Sequence, residues 1–134
     1  MKPPEEVARE LGRQWVTKAE QDYGLAEHLL SEGAPYLEAI GFNCQQAAEK
    51  YLKALLTLRQ VPFPKTHNLG ELLDLIAALD RDVADSLRDI TALNPYAVGY
   101  RYPAEFPEVT PDDARAAFDM ASRVRAALLP LLEL

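Results

Sequence analysis

The stretch from Phe42 to Leu56, FNCQQAAEKYLKALL, predicts a strong helix with polar groups where a simple bundle helix would be apolar. At every third or fourth position, one stripe is apolar at both ends and polar in the middle: Phe42, Gln46, Glu49, Lys53 and Leu56. A second stripe is apolar or aromatic throughout: Ile40, Cys44, Ala47, Tyr51, Ala54 and Leu58. We therefore expect a central helix with several neighbours. Its charged stripe must pair internally or line a cleft, because an unpaired buried charge is costly.

The length and composition are typical of one globular domain spanning residues 1–134. Hydrophobic residues make up 49% of the chain and charged residues 26%, and 134 residues are enough for a hydrophobic core. No apolar run approaches the roughly 18 residues needed to span a bilayer, and the charged amino terminus lacks the apolar stretch of a signal peptide. Cys44 is the single cysteine and has no partner for an internal disulfide. These features predict no membrane association and a reducing, cytoplasmic location.

The charge is acidic overall but unevenly distributed. A net charge of −7 argues against a surface built for non-specific nucleic-acid binding, although a more limited contact with nucleic acid stays open. Residues 43–67 contain four basic residues against one acidic residue, whereas residues 68–92 contain six acidic residues against two basic ones. This basic region favours a small anionic ligand or an acidic partner, and an ordinary solvated surface explains it equally well.

The pattern predicts an all-α, antiparallel bundle of four main helices with one short additional helix. Helix one begins near Leu11, or at the preceding Pro-Pro-Glu-Glu, and the second helix runs over about residues 36–59. Asn68 and Glu71 form a capping-box pattern for the third helix, whose predicted buried face is Leu69, Leu72, Leu73, Ile76 and Leu79. The short fourth helix ends before Asn94-Pro95. Thr110 and Pro111 then start the last helix.

Three groups of polar residues are candidates for a functional site. The first lies on the second helix and contains Gln45, Gln46, Glu49, Lys50 and Lys53. Glu49 and Lys53 have the spacing of a helical ion pair, so this group is either a structural pair or part of a cleft. Asp22 falls on the apolar stripe of the first helix and is a candidate partner for Lys53.

The other two groups lie in connections. At Lys65-Thr66-His67-Asn68, free amides of the next helix together with a lysine and a histidine could bind phosphate, and the alternative is a capping turn with an exposed histidine. In the segment 94–110, Tyr100, Arg101 and Tyr102 suit phosphate binding by the arginine with base stacking on the rings. The same rings could simply cover one end of the bundle.

Known catalytic and metal-binding patterns are weak in this sequence. His28, His67 and Cys44 do not have the spacing of a zinc site, and the six glycines form no phosphate-binding loop. We therefore predict no catalytic residue and no metal site.

Four motifs in order resemble the HEPN domain (higher eukaryotes and prokaryotes nucleotide-binding) over about residues 12–130. They are Ala19-x-x-Asp22, Gln45-Gln46-Ala47-Ala48-Glu49-Lys50 with Lys53, Thr66-His67-Asn68-Leu69 and Tyr100-Arg101-Tyr102-Pro103. The resemblance implies an antiparallel helical bundle, frequent homodimers and often a partner, a minimal nucleotidyltransferase encoded nearby. Many such pairs are toxin–antitoxin modules.

Some members of that family are ribonucleases that use an arginine followed closely by a histidine. No histidine follows Arg101 in this chain, so the resemblance implies a non-catalytic module that binds a nucleotide such as ATP, a nucleotidyltransferase partner, or both. The predicted nucleotide-binding residues are Gln46, Glu49, Lys53, His67, Tyr100, Arg101 and Tyr102, with Asp22, Gln45 and Lys50 in a polar network. Two alternatives stay open: a ribonuclease toxin with a non-standard site, and a helical interaction scaffold without a ligand.

Overall fold

The computed structural model describes residues 1–33, 35–98 and 108–133, and these residues form an all-α bundle. The elements are α1 (Pro4–Ser31), α2 (Leu37–Leu58), α3 (Leu69–Ala77), α4 (Arg81–Ser86), a 3₁₀ segment (Arg88–Ala97) and α5 (Pro111–Leu132). No strand occurs within these described ranges. The predicted fold class is confirmed.

Helix α2 is the centre of the bundle, because it contacts α1, α3, α5 and the 3₁₀ segment. Its predicted apolar stripe is fully buried from Ile40 through Cys44 and Tyr51 to Ala54, and its last member, Leu58, is partly buried. Helices α1 and α2 run antiparallel, since Asp22 pairs with Lys50 whereas Trp15, earlier in α1, lies beside Lys53, later in α2.

Proline and capping residues define the ends of the helices. Helix α1 begins at Pro4, which is the earlier of the two predicted starts. Thr110 caps α5, as predicted, and it forms a reciprocal capping box with Asp113. Asn68 caps α3, but its side chain accepts a hydrogen bond from the amide of Gly70, so the predicted pairing with Glu71 is not the one that forms.

Two predicted boundaries differ from the structure. The segment after α4 is a 3₁₀ helix that continues through Pro95 to Ala97, instead of ending before Asn94. A proline keeps a helical φ, and the hydrogen bond and space that it costs are tolerated in a short 3₁₀ segment. Leu79, predicted in the buried face of α3, is 42% exposed because α3 ends at Ala77.

Gly41 allows the 3₁₀ segment to approach α2 closely. A Cβ atom at Gly41 would lie 2.4 Å from Cδ1 of Tyr96, so the ring of Tyr96 occupies the space that any other side chain would need. This contact fixes the end of the 3₁₀ segment against the central helix.

None of the described helices combines the length and the apolarity needed to cross a bilayer.

Candidate functional site

A buried hydrogen-bonded network centred on Glu49 lies in the middle of α2. Glu49 is 3% exposed and Lys53 is 6% exposed, and Nζ of Lys53 donates to Oε2 of Glu49 at 2.8 Å. Gln45 is fully buried and donates through Nε2 to Oε1 of Glu49 at 3.1 Å and to the main-chain carbonyl of His67 at 3.0 Å. Gln46 donates to Oε1 of Gln45 at 2.7 Å. The network therefore connects α2 to the segment that precedes α3.

The buried charges of this network are compensated. Glu49 and Lys53 carry opposite charges one helical turn apart, and of the two alternatives for this group the structural ion pair is the one observed. Within the described part of the chain, every buried side-chain nitrogen or oxygen has a hydrogen-bond partner. Because Lys53 is buried and paired, it has little surface from which to contact a ligand directly.

Two aromatic side chains complete the surroundings of Lys53. Nζ lies 5.5 Å from the ring centroid of Trp15 and 5.8 Å from that of Phe63, which is within the range of a cation–π interaction. Neither ring was predicted to lie beside the polar network. The Pro-Phe-Pro sequence around Phe63 was the available signal, since it fixes the connection next to the network.

His67 is the exposed member of the network. Its Nδ1 lies 2.8 Å from Oε1 of Glu49, while its side chain is 63% exposed. A carboxylate can only accept a hydrogen bond, so Nδ1 carries the proton and donates it to Glu49. The other ring nitrogen, Nε2, is then an acceptor in the neutral ring and a donor in the charged ring.

The amides at the start of α3 are already engaged. The Asn68 amide donates to Oγ1 of Thr66 at 3.0 Å, the Leu69 amide to Oδ1 of Asn94 at 2.9 Å, and the Gly70 amide to Oδ1 of Asn68 at 2.9 Å. The expectation of free amides for a phosphate at this helix is therefore wrong. The capping turn with an exposed histidine, which was the alternative, is the observed arrangement.

Asp22 does not pair with Lys53. Its Oδ2 accepts from Nζ of Lys50 at 2.5 Å, and both side chains are partly exposed at the edge of the α1–α2 contact. Lys50 and Lys53 are three positions apart on α2, and the rotation of α2 against α1 turns Lys50 toward the carboxylate. The predicted cross-helix ion pair exists, but its cation is a different residue.

The predicted site residues Tyr100, Arg101 and Tyr102 lie outside the described residues. The site described here therefore consists of Gln45, Gln46, Glu49, Lys53 and His67 with the two aromatic rings.

The sequence profile of the HEPN domain matches residues 13–131 of the chain. The chain belongs to the HEPN family. The predicted family is confirmed, and the match covers all the motifs that indicated it.

Two solved structures have the same fold. TT1696 from Thermus thermophilus is 30% identical, with a TM-score of 0.70, and the alignment covers 87% of this chain and 94% of that protein. ST0689, described as an archaeal HEPN homologue, is 24% identical, with a TM-score of 0.68 and coverage of 90% and 97%. No curated protein matches the chain significantly.

This HEPN domain has a second polar network that the sequence did not indicate. Arg125 of α5 donates from Nε and Nη2 to the two carboxylate oxygens of Glu20 at 2.7 and 3.0 Å, and the Tyr51 hydroxyl donates to the same carboxylate. These hydrogen bonds, that from Arg125 first, hold the pKa of Glu20 below its ordinary value, against the opposing effect of burial. The network connects α1, α2 and α5.

Among the described residues, neither the thiol of Cys44 nor a cluster of metal-binding side chains provides a second site. Burial raises the pKa of the Cys44 thiol to about 12, so it stays protonated and unreactive at neutral pH. Within the described residues, no group of three or more His, Cys, Asp and Glu side chains is placed to hold a metal ion.

Proposed function

We propose that this HEPN domain is a non-catalytic module that binds the phosphate of a nucleotide, such as ATP, at the surface around His67. The observation that carries the proposal is the hydrogen bond from Nδ1 of His67 to the buried Glu49 carboxylate. It holds the imidazole in one orientation while most of its surface stays open to a ligand. A side chain ordered in advance loses little conformational entropy when it binds.

The charge around His67 supports an anionic ligand. Lys65 is exposed two residues before His67, and both lie in the basic stretch of an otherwise acidic chain. In this proposal the ligand contacts His67, Lys65 and Gln46. The buried pair of Glu49 and Lys53 positions His67 from inside the bundle. A charge-assisted hydrogen bond from a protonated Nε2 would give the phosphate its directional contact.

The sequence adds a second group to this proposal. Arg101 between Tyr100 and Tyr102 has the chemistry of a phosphate-binding arginine flanked by stacking rings. We keep these three residues in the proposed site on the strength of their sequence alone.

Membership of the HEPN family and the single cysteine support three further proposals about the setting of this domain. These are a homodimer, a minimal nucleotidyltransferase partner within a toxin–antitoxin pair, and a cytoplasmic location. Under this proposal the nucleotide bound at His67 is either free in solution or presented by the partner.

A thermal-shift titration with ATP, GTP and ADP tests nucleotide binding directly. Ligand at a hundred times its dissociation constant adds about 2.7 kcal/mol, which raises the Tm by several degrees for a domain of this size. We expect His67→Asn to reduce the shift, because asparagine can still donate to Glu49 but presents no imidazole. His28→Asn, at the other histidine on the exposed end of α1, is the matched control and should keep the shift.

Two outcomes would count against the binding proposal. An unchanged shift in His67→Asn would remove His67 from the site, and loss of that shift in Arg101→Ala would then move the site to the segment around Arg101. No shift with any of the three nucleotides would overturn nucleotide binding and favour the scaffold alternative.

One observation favours a second candidate function, a ribonuclease with a non-standard site. A carboxylate on Nδ1 and an open Nε2 is the arrangement by which a histidine serves as a general base, so His67 could accept the proton of a ribose 2′-hydroxyl. In this candidate function His67 acts as the general base. It replaces the histidine that this chain lacks after Arg101.

Incubation with total RNA distinguishes the two candidates. Cleavage by the wild-type domain that is lost in His67→Asn and reduced in Glu49→Gln would establish the ribonuclease. Absence of cleavage in a sample that shows the nucleotide-dependent Tm shift would establish binding without catalysis.

A further inference from the structure

Two aromatic rings beside the buried network are only partly covered by the protein. Trp15 comes from α1 and Phe63 from the connection between α2 and α3, and their ring centroids lie 6.4 Å apart with an interplanar angle of 59°. Nζ of Lys53 lies beneath both rings and donates to Glu49, the carboxylate that also holds His67. The Lys53–Glu49 ion pair therefore contacts the rings through Lys53 and the exposed imidazole through Glu49.

The local sequence restricts the backbone that carries the two rings. Phe63 lies between Pro62 and Pro64, whose fixed φ angles restrict the connection, and Trp15 projects from the interior of a long helix. Because Lys53 is buried, the ring faces that it contacts point into the protein. The partly exposed remainder of each ring is left for contact with solvent or with a ligand.

We propose that Trp15 and Phe63 bind the base of the nucleotide whose phosphate binds at His67. This inference rests on the proposed function. The phosphate contact at His67 does not specify where the base binds, and the inference assigns the base to these two rings. Every base has a π face that stacks on aromatic side chains, and the indole of Trp15 offers the larger surface. A base on these rings and a phosphate at His67 would both adjoin the Glu49 network, the rings through Lys53 and the imidazole through Glu49.

The stacking contact predicts a measurable preference for ligands that carry a base. Base–aromatic stacking corresponds to about a tenfold to a hundredfold gain in affinity. We expect ATP to bind more tightly than inorganic tripolyphosphate by a factor in this range, because the two probes share the phosphate chain and only ATP carries a base.

Fluorescence titration tests the inference, since Trp15 is the single tryptophan of the chain. We expect ATP to quench or shift the Trp15 emission at saturation, whereas tripolyphosphate should compete with ATP and leave the emission unchanged. Phe63→Leu should lower the affinity for ATP by about tenfold and leave the affinity for tripolyphosphate unchanged. Phe118→Leu is the matched control, because it removes another half-buried ring, stacked on Tyr23, and should leave both affinities unchanged.

The failure of this inference is distinguishable from the failure of the proposed function. Suppose that ATP raises the Tm and that this shift depends on His67. If ATP then leaves the Trp15 emission unchanged, and Phe63→Leu binds ATP as tightly as the wild type, the base lies elsewhere and the inference is wrong. If ATP and tripolyphosphate bind equally well, the rings contribute no base contact, which also overturns it. If neither probe binds, the proposed phosphate site and the proposed base site are both wrong.

Discussion

At the scale of single residues, the Glu49 carboxylate is the most consequential group in this protein. It is almost completely buried, and it accepts hydrogen bonds from Gln45, Lys53 and His67. Glu49→Gln keeps the shape but leaves the ammonium of Lys53 buried without a counter-charge. We expect a loss of about 3–5 kcal/mol in the free energy of unfolding, measured by urea denaturation.

Two further variants show whether the loss comes from the buried charge. Glu10→Gln removes the acidic partner of Lys2 in an exposed pair, which should cost less than about 1 kcal/mol. Combining Glu49→Gln with Lys53→Met removes both charges and should recover part of the lost stability. An equally small effect for Glu49→Gln and Glu10→Gln would show that the central pair contributes no more than a surface pair.

Glu20 gives the domain a predictable response to acid. Hydrogen bonds from Arg125 and Tyr51 hold its pKa below the ordinary value of 4.5 in the folded state. The contribution of Glu20 to stability is therefore complete at a pH above its ordinary pKa. This contribution is lost as the pH falls through the lower pKa of the folded state. We expect Glu20→Gln to lower the Tm at neutral pH, with a difference from wild type that shrinks as the pH drops below the ordinary pKa.

The partner of Glu20 provides an internal check on this pH dependence. Arg125→Gln removes the largest cause of the pKa shift and should reduce the same acid-dependent part of the stability. A Tm difference between wild type and Glu20→Gln that stays constant across the acidic range would contradict the assignment.

At the scale of the elements, Gly41 decides how closely the 3₁₀ segment packs on α2. Glycine to alanine within a helix ordinarily stabilises by roughly 0.5–1 kcal/mol. At Gly41 the added Cβ would overlap the ring of Tyr96, so we expect Gly41→Ala to destabilise the fold by about 1–3 kcal/mol in urea unfolding.

Gly24 in α1 is the matched control for this prediction. A Cβ built there meets no atom within 4 Å, so Gly24→Ala should show the ordinary helix stabilisation. Effects of the same sign in both variants would show that the Tyr96 ring moves aside without cost.

At the scale of the whole molecule, the central position of α2 predicts cooperative unfolding of a single domain. Because α2 contacts α1, α3, α5 and the 3₁₀ segment, losing it removes packing from each of them. We expect the urea transitions followed by Trp15 fluorescence and by far-ultraviolet circular dichroism to coincide. Trp15 reports on α1 near the polar network, whereas the dichroism reports on all the helices, so separate midpoints would reveal independent units.

Local features of the sequence were enough to predict most of the architecture. The apolar stripe of α2 and the Thr110 cap each act within a few residues, and the structure confirms both. The Glu49–Lys53 pair belongs to the same class, because the periodicity of one helix brings these side chains together. The site was harder to predict, since most of its contacts join separate elements.

What the sequence alone determined about this HEPN domain is the helical bundle, its central polar helix and the family. Only the tertiary structure decided which residues meet across that bundle: Asp22 with Lys50, His67 with Glu49, and Glu20 with Arg125. The physical reason is that helical periodicity sets the direction of a side chain on its own helix. The rotation and axial offset between two helices depend instead on the packing of the whole core, which no short stretch of sequence specifies.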